Sequence, residues 1–470
     1  MTTIPETLGL ALQHHQAGRL REAEALYRQI LQAEPDNSSA LHLLGVVAQQ
    51  ENRPDEAVRL ISRAIAVDSS IPEFHNNLGE VYRAAGDLDR AVACYRQAMV
   101  LKPTYAEPYN NLGIVLSNQG KLEEAIAHYR QALMFNPAFA QAFSNLGAVL
   151  QEQGHLEEAV IRFRQALTIN HNSAVAYNNL ANALKDQGKV EEALACYRHA
   201  LAIKPDYTSA HSNLLFVMCY QPVCDVETIA AEHVKWNDAH ATSLVRQRIF
   251  RHVQPDPERQ LRVGYVSADF ITHPVSDFTG PLFAAHDHTN VEVFCYSAGP
   301  RTDESSRRFQ SHCDVWRSIV GLSDEAAADL IYADKIDILI DLSGHTAGNR
   351  LLVFARKPAP VQVTYLGYGT TTGLKTMDYR LTDRFLSPPD SPEWCSEELI
   401  RLPGCFVCYR PPEDAPPEVA TLPAFANGHV TFGSFNNLAK VSPAVVNLWS
   451  QILGLVPKSR LVLKDRTLAD

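Results

Sequence analysis

The sequence lacks any long apolar run. Its longest ones, such as Leu43–Ala48 and Ile336–Leu342, fall well short of the roughly 18 residues that a membrane-spanning helix needs. The segment Met1–Leu20 also lacks a basic stretch followed by an apolar run, which is the pattern of a secretory signal. The sequence therefore predicts neither a membrane segment nor secretion.

Positive charge is also in short supply. The 42 Lys and Arg residues are outnumbered by 53 Asp and Glu residues, which gives a formal net charge of −11. Nucleic-acid binding generally needs a basic face, so the balance argues against it while leaving room for a local basic pocket. A hydrophobic content of 46% excludes a disordered chain, and 470 residues predict about two to four domains.

Cysteines are few and scattered. Their odd number, nine, fits a reducing cytoplasm better than a disulfide framework. Cys405 and Cys408 form one CxxC, but neither a second CxxC nor a His pair follows to complete a zinc site. We interpret them as a thiol pair near a strand and predict no metal site.

A repeat of 34 residues dominates the first half of the sequence. Segments Ala106–Phe139 and Ala174–Tyr207, for example, align with each other at an offset of two such periods. The frame begins at Ile4, Ser38, Pro72, Ala106, Ala140 and Ala174, and a partial seventh unit begins at Thr208. This pattern resembles the tetratricopeptide repeat, a helix–turn–helix unit. We therefore predict an α-solenoid with a concave groove over residues 4–221.

Recurring residues give the frame its physical sense. Leu at the seventh position should face the partner helix: Leu10, Leu44, Leu78, Leu112, Leu146, Leu180 and Leu214. Glycine recurs in the turn between helices, where it suits a left-handed backbone: Gly18, Gly86, Gly120, Gly154 and Gly188. A small residue at the eighth position and an aromatic residue at the twenty-fourth should let the paired helices approach closely.

One polar position of the frame recurs as well. The sixth residue is Asn in five consecutive units: Asn77, Asn111, Asn145, Asn179 and Asn213. Each precedes the core Leu on the first helix of its unit, so we expect it to project into the groove. A side-chain amide can pair with a peptide backbone of any sequence. A single such Asn indicates only a solvated face, but five in register favour a ladder that binds an extended acceptor polypeptide.

The pattern changes after residues 222–256, which we predict to form one or two linking helices. Four apolar runs rich in β-branched residues follow: Leu261–Phe270, Val291–Gly299, Asp337–Ser343 and Val361–Gly367. Amphipathic stretches separate them. This alternation predicts an α/β lobe over residues 257–424, in which helices cover both faces of a parallel sheet.

In such sheets, ligands bind beyond the carboxyl ends of the strands. The first run leads into Asp269–His273, the third into Ser343–Thr346, and the fourth into the loop Gly367–Gly373. We therefore expect two His, one Asp and a Gly/Thr loop to converge on one edge, where a His can relay protons. Each His alone is equally compatible with a structural role. The glycine spacing differs from the dinucleotide fingerprint, so NAD binding is not predicted.

The pattern of the last segment predicts the beginning of a second α/β lobe. A strand at His429–Phe435 is followed by Asn437, by Lys440 and by a helix that opens at Pro443, and a further strand is predicted at Arg460–Lys464. Lys440 lies just ahead of the helix N-terminus and is a candidate anion-binding residue. A solvated lysine fits the same pattern.

Five motifs, taken together, resemble one family. GYVSADFITHP, DILIDLSGHT, PAPVQVTYLGY, MDYRLTD and GSFNNLAKVSP follow the repeats in this order. They are similar to motifs of the O-GlcNAc transferase and SPINDLY-like family, and the resemblance covers nearly the whole chain. It implies an inverting, metal-independent glycosyltransferase with two Rossmann-like lobes (the GT-B architecture), which moves N-acetylglucosamine from UDP-GlcNAc to Ser or Thr of intracellular proteins. A plant branch similar in sequence transfers fucose from GDP-fucose instead, and this alternative stays open.

The resemblance also implies roles for individual residues. His273 matches the active-site histidine, as the general base or as a positioning group. Lys440 matches the lysine that contacts the donor diphosphate, and Asn437 a position that contacts the nucleotide. Gly367 and Thr370 belong to the donor-binding loop, in which Gly369 stands where many relatives have Pro; this change should make the loop more flexible. The Asn ladder matches the groove for protein substrates, and no cofactor besides the donor substrate is implied.

Two hypotheses about function follow. In the first, the chain is a cytoplasmic protein O-linked N-acetylglucosaminyltransferase that acts on proteins bound along the repeats. In the second, it is a repeat-based binding scaffold whose transferase region is inactive. The second arises because the resemblance implies a donor lobe, begun at residues 425–470, that continues with a His-Thr-Thr motif beyond this sequence. A homodimer is a further hypothesis, because exposed repeat faces often pair.

Overall fold

The computed structural model describes residues 3–220, 224–250, 256, 258–390, 394–411, 421–436 and 440–464. The chain divides into two compact units, Met1–Ala183 and Leu184–Asp470, so that the boundary falls within the sixth repeat. Among the described helices, none combines the length and the apolar character that a membrane span requires.

The first unit is a series of paired helices. They are α1 (Ile4–Gln16), α2 (Leu20–Ala33), α3 (Ser38–Gln50), α4 (Pro54–Val67), α5 (Pro72–Ala84), α6 (Leu88–Leu101), α7 (Ala106–Asn118), α8 (Leu122–Phe135), α9 (Ala140–Glu152), α10 (Leu156–Ile169) and the greater part of α11 (Ala174–Asp186). From α1 to α10, each odd-numbered helix packs against the next one. The predicted helical repeats are therefore confirmed.

Close approach between paired helices explains the small residue of the frame. A Cβ atom on Gly113 would lie 2.6 Å from the ring of Tyr129, so the aromatic side chain packs directly on the glycine backbone. The turn glycines have left-handed φ angles, as predicted. The seventh-position Leu is buried in all units except the first, where Leu10 is 44% exposed. The prediction that Leu10 packs in the core is therefore wrong.

The second unit continues from the repeats into a parallel sheet. It begins with α12 (Val190–Ile203), α13 (Thr208–Met218) and α14 (Val226–His240). The elements of the lobe follow in the order β1 (Leu261–Ser267), α15 (Pro274–Phe283), β2 (Val291–Ser297), α16 (Glu304–His312), β3 (Val315–Ser318), α17 (Asp324–Ala333), β4 (Ile338–Asp341), α18 (Leu351–Ala355), β5 (Val361–Thr364), β6 (Tyr379–Asp383) and β7 (Glu398–Leu402). Helix α14 lies within residues 222–256, which the sequence analysis assigned to linking helices.

The sheet has the strand order β3-β2-β1-β4-β5-β6-β7, and every neighbouring pair is parallel. Alternate residues of β1 enter two cores, since Val266 packs in one apolar cluster and Tyr265 in another. All four predicted strands are present as β1, β2, β4 and β5, which confirms the α/β lobe. Strands β3, β6 and β7 were not predicted.

The C-terminal segment forms a second, small sheet. It contains α19 (Pro423–Asn427), β8 (Thr431–Ser434), α20 (Pro443–Leu455) and β9 (Arg460–Leu463), and its two strands are parallel. The two predicted strands and the helix that opens at Pro443 are confirmed. No side chain of α20 is buried, and Leu455 is 81% exposed. The described elements therefore have the strand–helix–strand order of a second α/β lobe, but they do not bury a hydrophobic core among themselves.

Candidate active site

The site lies where the strand order reverses. β1 pairs with β2 on one side and with β4 on the other, so the loops that leave β1 and β4 diverge and open a crevice at their carboxyl ends. A cavity of about 720 Å³ occupies this edge. Its walls include these residues from the sequence analysis: Asn213, Asp269, His273, His345, Gly367, Thr370 and Lys440. The expected convergence of two His, one Asp and the Gly/Thr loop is confirmed.

His273 caps the helix that follows β1. Its backbone is extended (φ −156°, ψ 149°), as expected for a residue before Pro274, and its Nδ1 accepts the N–H of Val275 at 3.3 Å. The neutral ring makes this contact when its proton is on Nε2. The Nδ1 atom is also 3.9 Å from Oδ2 of Asp269, and the His273 side chain is 41% exposed. Burial raises the pKa of Asp269, and the nearby His273 opposes this shift.

His345 has a structural role instead. Both ring nitrogens are engaged, because Nε2 donates to the carbonyl of Thr372 at 2.8 Å and Nδ1 pairs with Oγ of Ser212 at 3.1 Å. Complete burial holds the pKa of His345 well below its usual value. The ring thus stays neutral and ties the loop after β4 to α13 and to the Gly/Thr loop. A proton-relay role for His345 is wrong, since neither nitrogen is available to a substrate.

A buried carboxylate shapes the loop after β4. Asp341, the last residue of the strand, accepts the N–H groups of Ser343 (3.1 Å) and Gly344 (2.8 Å) and the hydroxyl of Thr364 (2.9 Å). Burial nevertheless raises the pKa of Asp341 to about 6. Asp341 therefore fixes the turn that carries His345 and is not exposed to the cavity itself.

The Gly/Thr loop is held by close backbone packing. A Cβ atom on Gly367 would lie 2.0 Å from the carbonyl oxygen of Leu342, so only glycine fits there. The next glycine is different, because a Cβ atom on Gly369 would meet nothing within 4 Å. Its carbonyl accepts a hydrogen bond from Nη2 of Arg380 at 2.5 Å. The sequence predicted a flexible loop because Gly369 stands where many relatives have Pro. The structure shows instead that Arg380 anchors the loop at this glycine.

A second buried carboxylate, Glu397, holds the far end of this loop. It accepts the hydroxyl of Thr371 at 2.6 Å and the N–H of Thr372 at 2.7 Å, and the hydroxyl of Thr372 as well. Burial alone would raise the pKa of Glu397, but these hydrogen bonds hold it below its usual value. Thr370, the predicted donor-binding residue, is half-buried immediately before the anchored pair.

Lys440 brings a cation to the cavity from the C-terminal segment. It is exposed, its Nζ atom lies 5.8 Å from the centroid of the Tyr220 ring, and α20 begins three residues later behind the N-cap Ser442. Lys185 lines the same cavity and pairs with Asp186 at 3.1 Å. An anionic ligand in the cavity would therefore meet positive charge. Asn437, the other residue predicted in this segment, lies outside the described residues.

The walls also contain residues that the sequence analysis missed. Tyr368 donates its hydroxyl to Nε2 of His233 at 2.9 Å, and Nδ1 of His233 donates to the carbonyl of Ile229 at 2.7 Å. Burial lowers the pKa of His233 to about 4. The buried ring of α14 therefore orients a tyrosine of the cavity wall. The two partners are 135 positions apart in sequence, and no local pattern connects them.

The asparagine ladder forms a hydrogen-bonded chain in the first unit. All of its members are half-buried: Asn77, Asn111, Asn145, Asn179 and, in the second unit, Asn213. Nδ2 of Asn111 donates to Oδ1 of Asn76 at 3.1 Å, and Nδ2 of Asn145 donates to Oδ1 of Asn110 at 2.9 Å. Each of these ladder amides is thus bonded to the buried Asn of the preceding repeat. Binding of an acceptor by the ladder stays a prediction.

Comparison with known proteins now gives the family. The model of glycosyl transferase family 41 matches residues 208–409, and that of the C-terminal domain of cilia and flagella-associated protein 70 matches residues 6–213. The solved structure of a mutant Thermobaculum terrenum O-GlcNAc transferase is 35% identical, covers 78% of this chain and 70% of its own, and has a TM-score of 0.73. The chain belongs to the O-GlcNAc transferase family.

Plant members of the O-GlcNAc transferase family are similar as well. Arabidopsis thaliana "Probable UDP-N-acetylglucosamine--peptide N-acetylglucosaminyltransferase SPINDLY" is 50% identical over 213 residues, which are 44% of this chain and 23% of that protein. The Arabidopsis protein of the same enzyme name called SEC is 40% identical over 214 residues, or 44% and 22% of the two chains. The chain thus matches less than a quarter of the length of these relatives.

Proposed function

We propose that this chain is a protein O-linked glycosyltransferase that moves N-acetylglucosamine from UDP-GlcNAc to Ser or Thr hydroxyls. The observation that carries the proposal is that His273 and Lys440 line one cavity at the switch point of the sheet. An imidazole can accept or position the proton of the acceptor hydroxyl, and a cation can stabilise the departing nucleotide diphosphate. The relatives named above carry the same activity in their names.

In the proposed reaction, the acceptor hydroxyl attacks the anomeric carbon on the face opposite the departing nucleotide, which inverts the configuration. The hydroxyl loses its proton as the new bond forms. His273 would orient the hydroxyl or, with its ring proton on Nδ1 beside Asp269, accept the proton at Nε2. Negative charge develops on the leaving diphosphate, and Lys440 would stabilise it. In this mechanism the lysine supplies the positive charge, and no metal ion is required.

The acceptor protein would bind along the repeats. Half-buried amides at Asn77, Asn111, Asn145, Asn179 and Asn213 offer hydrogen bonds to an extended backbone of any sequence. Asn213 also lines the catalytic cavity, so the last member of the series lies beside the proposed reaction centre. A cytoplasmic location and assembly as a homodimer complete the proposal.

A second candidate function is a repeat-based binding scaffold with an inactive transferase region. It is favoured by α20, whose described side chains are all at least partly exposed in spite of an apolar sequence. An unburied helix of this kind gives little support to a nucleotide bound beside it. Incubation of the chain with labelled UDP-GlcNAc and cell-extract proteins separates the two candidates. Retained peptide binding without incorporation of label would favour the scaffold, and incorporation from GDP-fucose alone would replace the proposed donor.

Substitution of the cavity lysine tests the mechanism. We expect Lys440→Ala to lower kcat by about a hundredfold, because the leaving diphosphate loses its positive partner. Lys464→Ala is the matched control, since Lys464 is an exposed lysine of the same segment that does not line the cavity. Turnover at the wild-type rate in the Lys440 variant would exclude Lys440 from donor binding.

A further inference from the structure

The proposed function leaves one motif unused, the CxxC that follows β7. All nine cysteines are free, and Cys405 and Cys408 are two of the three that are exposed. The third exposed cysteine, Cys219, lines the cavity. Two thiols supply half of a zinc ligand set but the whole of a disulfide. Exposure of both members makes the pair accessible to redox reagents.

Phe406, the first of the two residues between the thiols, is held to the lobe by hydrogen bonds. The N–H of Phe406 donates to Oδ2 of Asp383 at 2.9 Å, and its carbonyl accepts the hydroxyl of Tyr365 at 2.6 Å. Its side chain also packs against the apolar cluster that contains Tyr365. Both backbone groups of Phe406 are therefore held by residues at the ends of β5 and β6. A change in the backbone conformation at Phe406 would disturb these contacts.

The same turn touches both elements that carry the site. Tyr365 directly precedes Leu366, whose φ of 70° is unusual for a non-glycine residue, and then Gly367 of the donor loop. On the other side of the CxxC, the ring of Tyr409 lies 6.2 Å from the ring of Phe278 on α15, the helix that His273 caps. Movement at the CxxC can thus reach the Gly/Thr loop and the His273 helix through single side-chain contacts.

We propose that Cys405 and Cys408 are a redox modification site that forms a reversible intrachain disulfide and loosens the Gly/Thr loop. A thiolate of the pair attacks a disulfide such as oxidised glutathione, which forms a mixed disulfide and releases one glutathione thiolate. The second cysteine thiolate then attacks its partner's sulfur and releases the second glutathione. Two electrons pass from the protein dithiol to glutathione disulfide, and the two thiol protons pass to the released glutathiones.

Closure of the disulfide draws the two ends of the turn together around Phe406. Because the Phe406 carbonyl is held by a single hydroxyl, we expect this contact to give way before the buried strands do. Tyr365 then loses its hydrogen bond to the Phe406 carbonyl, and the loop that starts with Leu366 loses an anchor. The proposal concerns the turn and the loop, and it does not depend on which sugar nucleotide the cavity binds.

The first test is chemical. The full chain is equilibrated in glutathione buffers of graded reduced-to-oxidised ratio, quenched with acid, alkylated and digested. The tryptic peptide that begins at Leu402 contains Cys405 and Cys408 and no other cysteine. We expect it to lose two hydrogens and both alkylation sites together as the buffer becomes oxidising. Two alkylated thiols at the most oxidising ratio, or a lasting adduct of one glutathione, would overturn the disulfide.

Two variants control this test. Cys408→Ser removes the resolving thiol, so Cys405 should stop at the mixed disulfide with glutathione. Cys94→Ser removes a half-buried thiol of the repeats and should leave the titration of the CxxC unchanged. Formation of the same oxidised peptide in the Cys408 variant would show that the product is not the proposed intrachain bond.

The second test is structural. Hydrogen exchange followed by mass spectrometry should show about fivefold faster exchange over residues 366–373 in the oxidised chain than in the reduced one. The double variant Cys405→Ser/Cys408→Ser should show no such difference between the two buffers. Equal exchange in the oxidised and reduced wild type would refute the coupling to the loop, even if the disulfide forms.

Discussion

The two units hold their polar side chains in place by different means. In the repeats, amides of successive units bond to one another, as Asn145 does to Asn110. In the lobe, hydrogen bonds join different kinds of groups. A buried carboxylate such as Glu397 accepts hydrogen bonds from several hydroxyl and N–H donors of one loop. The first arrangement distributes its interactions over many similar positions. The second concentrates them on a few buried carboxylates, each with its own set of donors.

This difference predicts where a single substitution does most damage. Stability in a repeat array is approximately a sum over neighbouring units, so the loss of one amide bond is local. A carboxylate that satisfies several buried donors leaves all of them without a partner when it is removed. The tryptophans make the comparison measurable, because all four, Trp236, Trp316, Trp394 and Trp449, lie in the second unit. Their fluorescence follows that unit, while far-ultraviolet circular dichroism follows the helical repeats as well.

The largest effect is expected for Glu397→Ala. Two hydroxyls and one N–H of the Gly/Thr loop lose a charged, buried acceptor, which should lower the free energy of unfolding of the second unit by about 3 kcal/mol. Tryptophan fluorescence during chemical denaturation measures this loss. Glu398→Ala is the matched control, because the neighbouring side chain is exposed, and it should cost less than about 0.5 kcal/mol. Equal losses in the two variants would contradict the anchoring role of Glu397.

The same contrast explains what the sequence predicts. The solenoid can be recognised in the sequence by its repetition, and β1, β2, β4 and β5 by their uniformly apolar runs. β6 is hidden because its buried residues include the polar Arg380 and Asp383, and β3 because half of it faces solvent. His273 and Lys440 follow from strand order and from family motifs. Glu397 does not, since adjacent glutamates look alike until tertiary folding buries one of them.

An intermediate effect is expected from the buried histidine of α14. Burial lowers the pKa of His233 to about 4 in the folded chain, whereas the unfolded side chain titrates near 6.5. The unfolded state therefore takes up the proton first as the pH falls. The stability that the neutral ring contributes is present above about pH 6.5 and is lost progressively toward pH 4. Between pH 7 and pH 5 this loss amounts to about 2 kcal/mol.

His233→Gln isolates this contribution. The free energies of unfolding of the variant and of the wild type, measured by tryptophan fluorescence, should draw closer by about 2 kcal/mol between pH 7 and pH 5. The difference between the two proteins is used because Asp341 also contributes to the pH dependence of the free energy of unfolding. Its pKa is raised to about 6, so its contribution has the opposite sign in the same pH range. Other titratable groups lie close to position 233 in the wild type and in the variant alike, so their contributions cancel in the difference. They are His345, Tyr368, Glu397 and His211. A constant difference over this range would mean that burial does not lower the pKa of His233 below that of the unfolded side chain.

The smallest effect is expected in the repeats. Asn110 is 1% exposed, accepts from Asn145 of the next repeat and donates to Asn111 beside it. Asn110→Ala should therefore lower the stability of the first unit by about 1 kcal/mol, while Asn111→Ala should cost less because water can reach the half-buried site. Asn118→Ala, at the exposed end of the same helix, is the control. Circular dichroism should detect the shift while the tryptophan transition stays in place. A loss of unfolding free energy as large as that of Glu397→Ala would mean that a single amide of the repeats contributes as much stability as a buried carboxylate of the lobe. The distinction between the two units would then fail.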